Sequence, residues 1–298
     1  MRRLLIIGCG DVALRAIPLL RGRYRIYALS REPQRFAALR ALGITPVRGN
    51  LDEPQTLHAL AGLAHDVVHF APPPGHGAHD TRTAHLIAAL AKGKSLPQQL
   101  VYISTSGVYG DCNGELVSET HPAHPQTDRA RRRADAEKRL REWGRRSGVS
   151  VSILRVPGIY AADRLPLARL EKGTPALTPE DDSYVNHVHA DDLARMVVAA
   201  LHHAHPGRMY NAVDDAPQKM GDYFDLVADR FGLPRPPRVA RAEAARSMPE
   251  NLLSFMSESR RLTNRRIKQE LRLRLRYPTV HDGIAAALAA NPAAGRDS

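Results

Sequence analysis

The chain has 298 residues, of which 43% are hydrophobic, so it can bury a large core in one elaborate domain or in two closely joined ones. No apolar run approaches the roughly 18 residues of a membrane span, and the two cysteines are too few for a disulfide framework or a cysteine-based zinc site. The net charge of +12 attracts polyanions, but aromatic residues make up only 5% and the arginines are dispersed through helical patterns, so no nucleic acid partner is expected.

The N-terminus has some features of a secretory signal, because two arginines precede an apolar run. The run from Leu4 to Ile7 is too short for a signal, and the glycines that follow lead into a helical pattern. We therefore expect a cytoplasmic protein without membrane association.

Residues 3–20 predict a strand, a tight turn and a helix, because an apolar run is followed by glycines and then by helical apolar periodicity. Gly8 suits a sharp turn, Gly10 lets the backbone approach a pyrophosphate, and Ala13 is small enough for the helix to pack on its strand. The diphosphate of a dinucleotide would meet the helix N-terminus. A purely structural turn is the alternative. The predicted cofactor-binding residues of this turn are Gly8, Cys9, Gly10, Asp11 and Val12.

The second predicted strand, residues 25–31, ends where dinucleotide-binding folds choose between two cofactors. NAD-binding units carry an acid here, about twenty residues after the glycines, that holds the ribose 2′-hydroxyl. This chain has Ser30 and Arg31, followed by Glu32. A hydroxyl and a guanidinium suit a 2′-phosphate, which favours NADP, whereas Glu32 leaves NAD open.

A helix over about 33–42 and a third strand over 44–48 come next. Asn50 and Asp52 then lie where such a chain passes the adenine edge of the cofactor. Both residues are predicted to bind the cofactor, although either could instead cap the following helix.

A fourth strand, residues 66–71, leads into a proline-rich loop that cannot be helical. The carboxyl end of a strand is where such sheets bind ligands, so Ala71 and Pro72 are predicted to lie beside the cofactor. His76 and His79 are expected to face solvent in the same loop.

A helix around 78–91 precedes the segment "QLVYISTSGVYGD", residues 99–111. Strand and helix have now alternated after a glycine turn, which predicts an α/β fold with a doubly wound parallel sheet of the Rossmann type. Here the sequence resembles the extended short-chain dehydrogenase/reductase superfamily, in its NAD-dependent epimerase/dehydratase group. The resemblance implies that the Thr105 hydroxyl contacts the reacting carbonyl. It also implies that Ser104, Arg133 and Val156 lie beside the cofactor.

Later segments resemble the same group: "LRVPGIY", "NHVHADDLARMVVAAL", "GRMYNAVDD" and the C-terminal "RRLTNRRIKQELRLRLRYPTVHDGI". The resemblance implies a Rossmann domain of residues 1–158 and 190–213. It implies a smaller α/β substrate cap of residues 159–189 and 214–285. Residues 286–298 are expected to form a frayed tail.

One departure from the group concerns its catalytic Tyr-x-x-x-Lys pair. Counting back from the Ala-Glu pair at 136–137 places Arg129 at the tyrosine position and Arg133 at the lysine position, and none of the nine tyrosines has a lysine four places on. A guanidinium has no acceptor and a pKa above about 12, so it cannot act as a general base. It can orient an anion or stabilise an oxyanion. The chain therefore resembles the atypical branch of the superfamily.

Tyr109, Tyr160, Tyr184, His187 and His189 are candidates for the missing proton-transfer group. The alternate spacing of His187, His189 and Asp191 could also offer metal ligands, but the resemblance argues against a metal. Asp191 is instead expected to cap the next helix. The predicted catalytic set is Thr105, Tyr109, Arg129 and His187.

Three functions are compatible with these features, and the third, a nucleic-acid binder, is disfavoured by the low aromatic content and the dispersed arginines. The first is an NADP-dependent oxidoreductase of the epimerase/dehydratase type, with NAD also open as cofactor and an anionic carbonyl or sugar-type substrate. The second is a non-catalytic NADP-binding protein that regulates a partner. The expected partner is a small-molecule substrate, and the chain is expected to be a monomer or a homodimer.

Overall fold

A computed structural model describes residues 1–248, 253 and 256–290 of the chain. Its strands, in chain order, are β1 (Arg2–Ile7), β2 (Tyr24–Ser30), β3 (Thr45–Arg48), β4 (Asp66–His69), β5 (Gln99–Thr105), β6 (Leu116–Val117), β7 (Ser150–Val156), β8 (Gly158–Tyr160), β9 (Ala176–Leu177), β10 (Tyr184–Val185), β11 (His187–His189), β12 (Met209–Asn211), β13 (Gln218–Lys219), β14 (Arg238–Val239) and β15 (Arg261–Leu262).

The α-helices are α1 (Asp11–Leu20), α2 (Phe36–Ala41), α3 (Thr81–Ala91), α4 (Asp128–Ser147), α5 (Leu167–Glu171), α6 (Ala190–His203), α7 (Met220–Arg230), α8 (Arg241–Ser247), α9 (Arg265–Glu270) and α10 (Val280–Ala290). Short 3₁₀ helices span Pro33–Arg35, Pro54–Leu60, Ser106–Tyr109 and Ala162–Arg164.

Seven of the strands form one parallel sheet in the order β12-β7-β5-β4-β1-β2-β3. The chain starts in the middle at β1, moves outward to β3, and then crosses to β4 and moves the other way. This order confirms the predicted doubly wound α/β fold. The direction reverses between β1 and β4, and ligands bind outside the carboxyl ends of the strands at such a point.

The sheet is covered by helices on both faces, as its β1 side chains show. Leu4 and Ile6 join the core cluster that includes α1 and α6, whereas Leu5 and Ile7 join the cluster that includes α3 and α4. All four side chains are fully buried. A strand buried on both faces has a continuous apolar sequence, and this is the pattern that predicts β1.

The remaining short strands pair outside the main sheet, as β8 with β11, β9 with β14, β10 with β13 and β6 with β15. Between them, α5, α7 and α10 pack around a separate apolar cluster that includes Tyr160 and Phe224. Segments from the middle and from the C-terminal part of the chain thus meet beside the carboxyl ends of the sheet strands.

Several predicted elements have different bounds in the structure. The helix predicted over 33–42 is a 3₁₀ turn followed by the short α2. The helix predicted from 78 begins at Thr81, because the Asp80 side chain caps it by accepting from the Thr83 N–H. The tail predicted from 286 is helical up to 290, and residues 291–298 lie outside the described residues. No helix among the described residues is both long and apolar enough to cross a bilayer.

Candidate functional site

A cavity of about 640 Å³ lies at the carboxyl ends of β1, β2, β4 and β5, and we call it the first cavity. It lies at the reversal point of the sheet order, where dinucleotides bind in such folds. Fourteen of the residues predicted from the sequence line it. They are Gly8, Cys9, Gly10, Asp11, Val12, Ser30, Arg31, Asn50, Ala71, Pro72, Ser104, Thr105, Arg133 and Val156.

The glycine turn after β1 is shaped for a close backbone approach. Gly8 has a φ of +86°, and a Cβ at this position would lie 2.6 Å from the backbone nitrogen of Ala71. Gly10 precedes α1 as its N-cap and offers no side chain to the first N–H groups of the helix. A Cβ on Gly10 would meet no protein atom within 4 Å, so its surroundings are open. The turn therefore presents unclaimed N–H groups and the positive end of a helix to the cavity, which fits a diphosphate.

The end of β2 brings two guanidinium groups to the rim of the first cavity. Arg31 is exposed and lies 3.5 Å from the Glu32 carboxylate, and Arg35 donates from Nη2 to the Cys9 carbonyl at 2.7 Å. The Ser30 hydroxyl accepts from the Glu32 N–H at 3.3 Å. Sequence reasoning missed Arg35, because its position inside a predicted amphipathic helix gives no indication that it reaches the glycine turn.

Asp52 lies outside the first cavity, in contrast to the prediction that it binds the cofactor. Both of its carboxylate oxygens accept from Arg82, at 2.7 Å each, and this pairing lowers the pKa of Asp52. Arg82 also donates to the Pro72 carbonyl at 3.2 Å and lines the cavity. Asp52 therefore orients Arg82 and through it the proline-rich loop, while Asn50 alone of the predicted pair lines the cavity.

A second cavity of about 540 Å³ adjoins the first. Thr105 and Arg133 line both cavities, so they mark the junction. The Thr105 Oγ1 accepts from the Gly107 N–H at 3.2 Å, which fixes the side chain at the end of β5. The second cavity is lined by Pro72, Pro73, Pro74, Gly75, Thr105, Ser106, Gly107, Arg129, Arg132, Arg133, Pro157, Gly158, Tyr184, Val185, Asn186, His187, Met220, Glu258 and Arg260.

The first turns of α4 supply three arginines to the second cavity, Arg129, Arg132 and Arg133. Positions i, i+3 and i+4 of a helix share one face. The helix begins close to Thr105, since a Cβ on Gly107 would lie 3.5 Å from the Thr105 Oγ1 and 3.8 Å from the Ala130 Cβ. Arg129 and Arg133, which the resemblance singles out, thus both line the second cavity, whereas Arg132 was not predicted.

His187 is buried in the wall of the second cavity, against the Tyr223 ring at 4.3 Å between ring centroids. Burial lowers the pKa of His187 to about 4, so the imidazole is neutral at pH 7. Its Nδ1 has no hydrogen-bond partner within the described residues. A neutral imidazole can accept or donate one hydrogen bond there.

Three other predicted candidates have structural partners instead. Tyr109 is buried outside both cavities and donates to the Asn211 Oδ1 at 2.8 Å. Tyr160 donates to the Thr279 carbonyl at 3.1 Å, and burial raises its pKa. His189, rather than Asp191, caps α6, because its Nδ1 accepts from the Asp191 N–H at 3.1 Å. Tyr184 does line the second cavity.

The Ser104 hydroxyl is also engaged, although Ser104 lines the first cavity. It donates to the Glu137 Oε1 at 2.5 Å, and Glu137 pairs with the buried Arg155 at 2.7 Å.

Within the part of the chain that the structure describes, no three histidine, cysteine or acidic side chains are grouped to hold a metal ion.

Comparison with known proteins agrees with this geometry. The profile of a family described as NAD(P)H-binding matches residues 8–204. A functionally unknown conserved protein from Silicibacter pomeroyi DSS has 30% sequence identity and a TM-score of 0.79, with 97% of this chain and 99% of that chain covered. No curated protein gives a significant sequence match.

Two further solved structures share the fold over nearly the whole chain. A protein from Methylobacillus flagellatus, provisionally assigned as an NAD-dependent epimerase/dehydratase, has 25% identity and a TM-score of 0.74, with 97% and 98% of the two chains covered. The dTDP-glucose 4,6-dehydratase of Streptomyces venezuelae, determined with NAD bound, has 21% identity and a TM-score of 0.77, with 97% of each chain covered.

Two glycine variants should separate folding from ligand binding. Gly8→Ala should lower the free energy of unfolding, because its Cβ would overlap the Ala71 backbone at a φ that alanine avoids. Gly10→Ala should leave unfolding nearly unchanged and weaken NADPH binding at least about tenfold, since only a ligand would meet the new methyl group. Urea denaturation and calorimetric titration measure the two effects. Unchanged NADPH affinity in Gly10→Ala would contradict a diphosphate at this turn.

Acid should destabilise the protein in part through His187. The buried ring stays neutral down to about pH 4, whereas the unfolded ring takes up a proton below about pH 6.5. The free energy of unfolding should therefore fall by up to about 1.4 kcal/mol per pH unit across this window. His187→Gln should make the pH dependence shallower, measured by urea denaturation at fixed pH. The exposed His58→Gln serves as control, and an unchanged slope in His187→Gln would contradict the neutral buried state.

Proposed function

The chain belongs to the NAD(P)H-binding family, and we propose that it is an atypical short-chain oxidoreductase of the epimerase/dehydratase type. NADP would occupy the first cavity and a small carbonyl or hydroxyl compound the second. The observation that carries this proposal is the junction of the two cavities at the Thr105 hydroxyl. A substrate in the second cavity would there meet both a hydrogen-bond donor and the cofactor.

The rim of the first cavity supports NADP over NAD. Arg31 and Arg35 bring two positive charges to the end of β2, where the Glu32 carboxylate lies 3.5 Å from Arg31 and the Asp52 carboxylate is paired with Arg82. Guanidinium groups bind a phosphate dianion through paired, charge-assisted hydrogen bonds. A ribose 2′-phosphate at this rim would therefore form charge-assisted hydrogen bonds that a 2′-hydroxyl could not, so NADP would bind more tightly than NAD.

The cofactor would supply or accept a hydride, and this chain's residues would position the oxygen that changes charge. The Thr105 O–H can donate to that oxygen, and the Arg133 guanidinium at the same junction stabilises negative charge on it. Arg129 and Arg133 cannot serve as general bases. Proton exchange at the substrate oxygen would then involve the neutral His187 or solvent.

A second candidate, a non-catalytic NADP-binding regulator, is favoured by one observation. Counting back from the Ala136-Glu137 pair predicts arginine at both positions where the resembled group has its tyrosine and lysine. Hydride exchange separates the two candidates. Tight NADPH binding with no oxidation by a broad panel of carbonyl compounds would support the regulator.

Arg31→Gln should change the choice of cofactor. We expect NADPH to bind more tightly than NADH to the unaltered chain, and Arg31→Gln should weaken NADPH binding at least about tenfold while NADH affinity changes little. Arg40→Gln removes the same charge from α2 at an exposed position outside the first cavity and should affect neither. Fluorescence titration with both reduced cofactors makes the measurement. Tighter NADH binding by the unaltered chain would contradict the assignment.

Thr105→Val should remove turnover and preserve cofactor binding, since the isosteric side chain lacks only the hydroxyl. Loss of one donor to a developing oxyanion typically costs about 10²–10³ in kcat. Thr105→Ser keeps the hydroxyl and should retain most of the activity. Once the carbonyl panel has identified a substrate, steady-state kinetics and NADPH titration measure both quantities. Full activity in Thr105→Val would exclude the proposed role.

A further inference from the structure

We propose that the second cavity binds the oxyanionic group, carboxylate or phosphoryl, of a small substrate through Arg129, Arg133 and Arg260. This inference rests on the proposed function in taking the second cavity as the substrate site. It adds the chemical class of the substrate and the part of the substrate that the arginines hold.

The lining of the second cavity is strongly unbalanced in charge. Among the described residues, four guanidinium groups line it, those of Arg129, Arg132, Arg133 and Arg260, and one carboxylate, that of Glu258. His187 adds no charge at neutral pH. A concave site with this excess of positive charge attracts an anion, because the low-dielectric walls focus the positive potential.

Neutral partners orient two of these arginines, and a carboxylate pairs with a third. Arg132 donates to the Gly77 carbonyl at 2.8 Å, and Arg133 donates from Nη1 to the Ile103 carbonyl at 2.8 Å and to a tyrosine hydroxyl. These uncharged acceptors fix the planes of the two guanidinium groups and leave their charge available to a ligand. Arg260 donates to the Gly110 carbonyl at 2.6 Å and is paired with Glu258 at 2.8 Å.

The positive groups lie close enough to repel one another. The pKa of Arg129 is lowered chiefly by the removal of water around it; the Glu258 carboxylate raises it, and the charges of Arg133 and Arg260 lower it by smaller amounts. Bringing these like charges together has a free-energy cost. An oxyanion bound between the guanidinium groups would attract each of them instead, and each guanidinium can donate two hydrogen bonds to it.

The position of Arg133 limits how far the anionic group lies from the reacting carbon. Arg133 and Thr105 line both cavities, so the anion site adjoins the junction. A cavity of about 540 Å³ is within the range of small-ligand sites. These features fit a small oxo or hydroxy acid, or a small phosphate ester, with its anionic group a few bonds from the carbonyl.

Calorimetric titration of the NADP-saturated chain with inorganic phosphate and with malonate tests the inference. Saturation blocks phosphate from the first cavity. We expect saturable binding of at least one probe, weakened about tenfold or more in Arg129→Gln and in Arg260→Gln. Tighter phosphate binding would identify a phosphoryl group, and tighter malonate binding a carboxylate. Arg131→Gln is the matched control, because Arg131 is an exposed arginine of the same helix that pairs with Asp128 and lies outside the cavity.

If the unaltered chain binds NADPH but binds neither phosphate nor malonate, the inference is wrong and the proposed function is unaffected. An equal loss in Arg131→Gln would also overturn it, because binding would then follow the charge of the helix surface. Failure of NADPH to bind would overturn the proposed function alone, since the same titrations on the cofactor-free chain still report whether Arg129 and Arg260 hold an anion. Thermal unfolding of each variant confirms that it is folded, and Arg129 is exposed enough for its substitution to be tolerated.

Discussion

The close contact between the turn after β1 and the loop after β4 determines the shape of the whole site. The Ile7 carbonyl accepts from the N–H groups of Phe70 and Ala71, at 2.8 and 3.1 Å, and Gly8 turns away at a positive φ. Any side chain at Gly8 would collide with the Ala71 backbone. Because this contact joins the two strands at the reversal point of the sheet, it fixes both the helix N-terminus and the proline-rich loop that lines both cavities.

Counting back from the Ala136-Glu137 pair predicts guanidinium groups where the resembled group has a phenol and an ammonium, and this replacement would change what the site can do. A phenol beside an ammonium can exchange a proton near neutrality, whereas guanidinium groups keep theirs and hold anions. The remaining titratable groups follow the same trend, since burial keeps His187 neutral and raises the pKa of Tyr160. The site is therefore better suited to orienting a charged substrate and stabilising an oxyanion than to relaying protons through side chains.

The sequence predicted backbone features better than side-chain directions. The glycine turn and the doubly wound parallel sheet follow from apolar periodicity and motif position, and the structure agrees with them. Thr105, which the resemblance implies contacts the reacting carbonyl, lines both cavities. Asp52 and Tyr109 were assigned by position alone, yet a local partner turns each away from the cavities, Arg82 in one case and Asn211 in the other. Arg35 reaches the glycine turn from a separate segment, and such long-range contacts leave no periodic pattern in the sequence.

A buried polar network behind β5 engages Ser104, which lines the first cavity, and Tyr109, which lies outside both cavities. Ser104 and Arg155 both bind the Glu137 carboxylate, and the Arg155 guanidinium lies 4.6 Å over the Tyr109 ring. The carboxylate and the ring thus hold a buried cation between β5 and β7, where breaking the pair would leave an uncompensated charge. Thr105 directly follows Ser104, so its backbone is held from behind by this network. In the proposed role of the Thr105 hydroxyl this support would matter, because misplacement of a reacting group by about 1 Å can cost two orders of magnitude in rate.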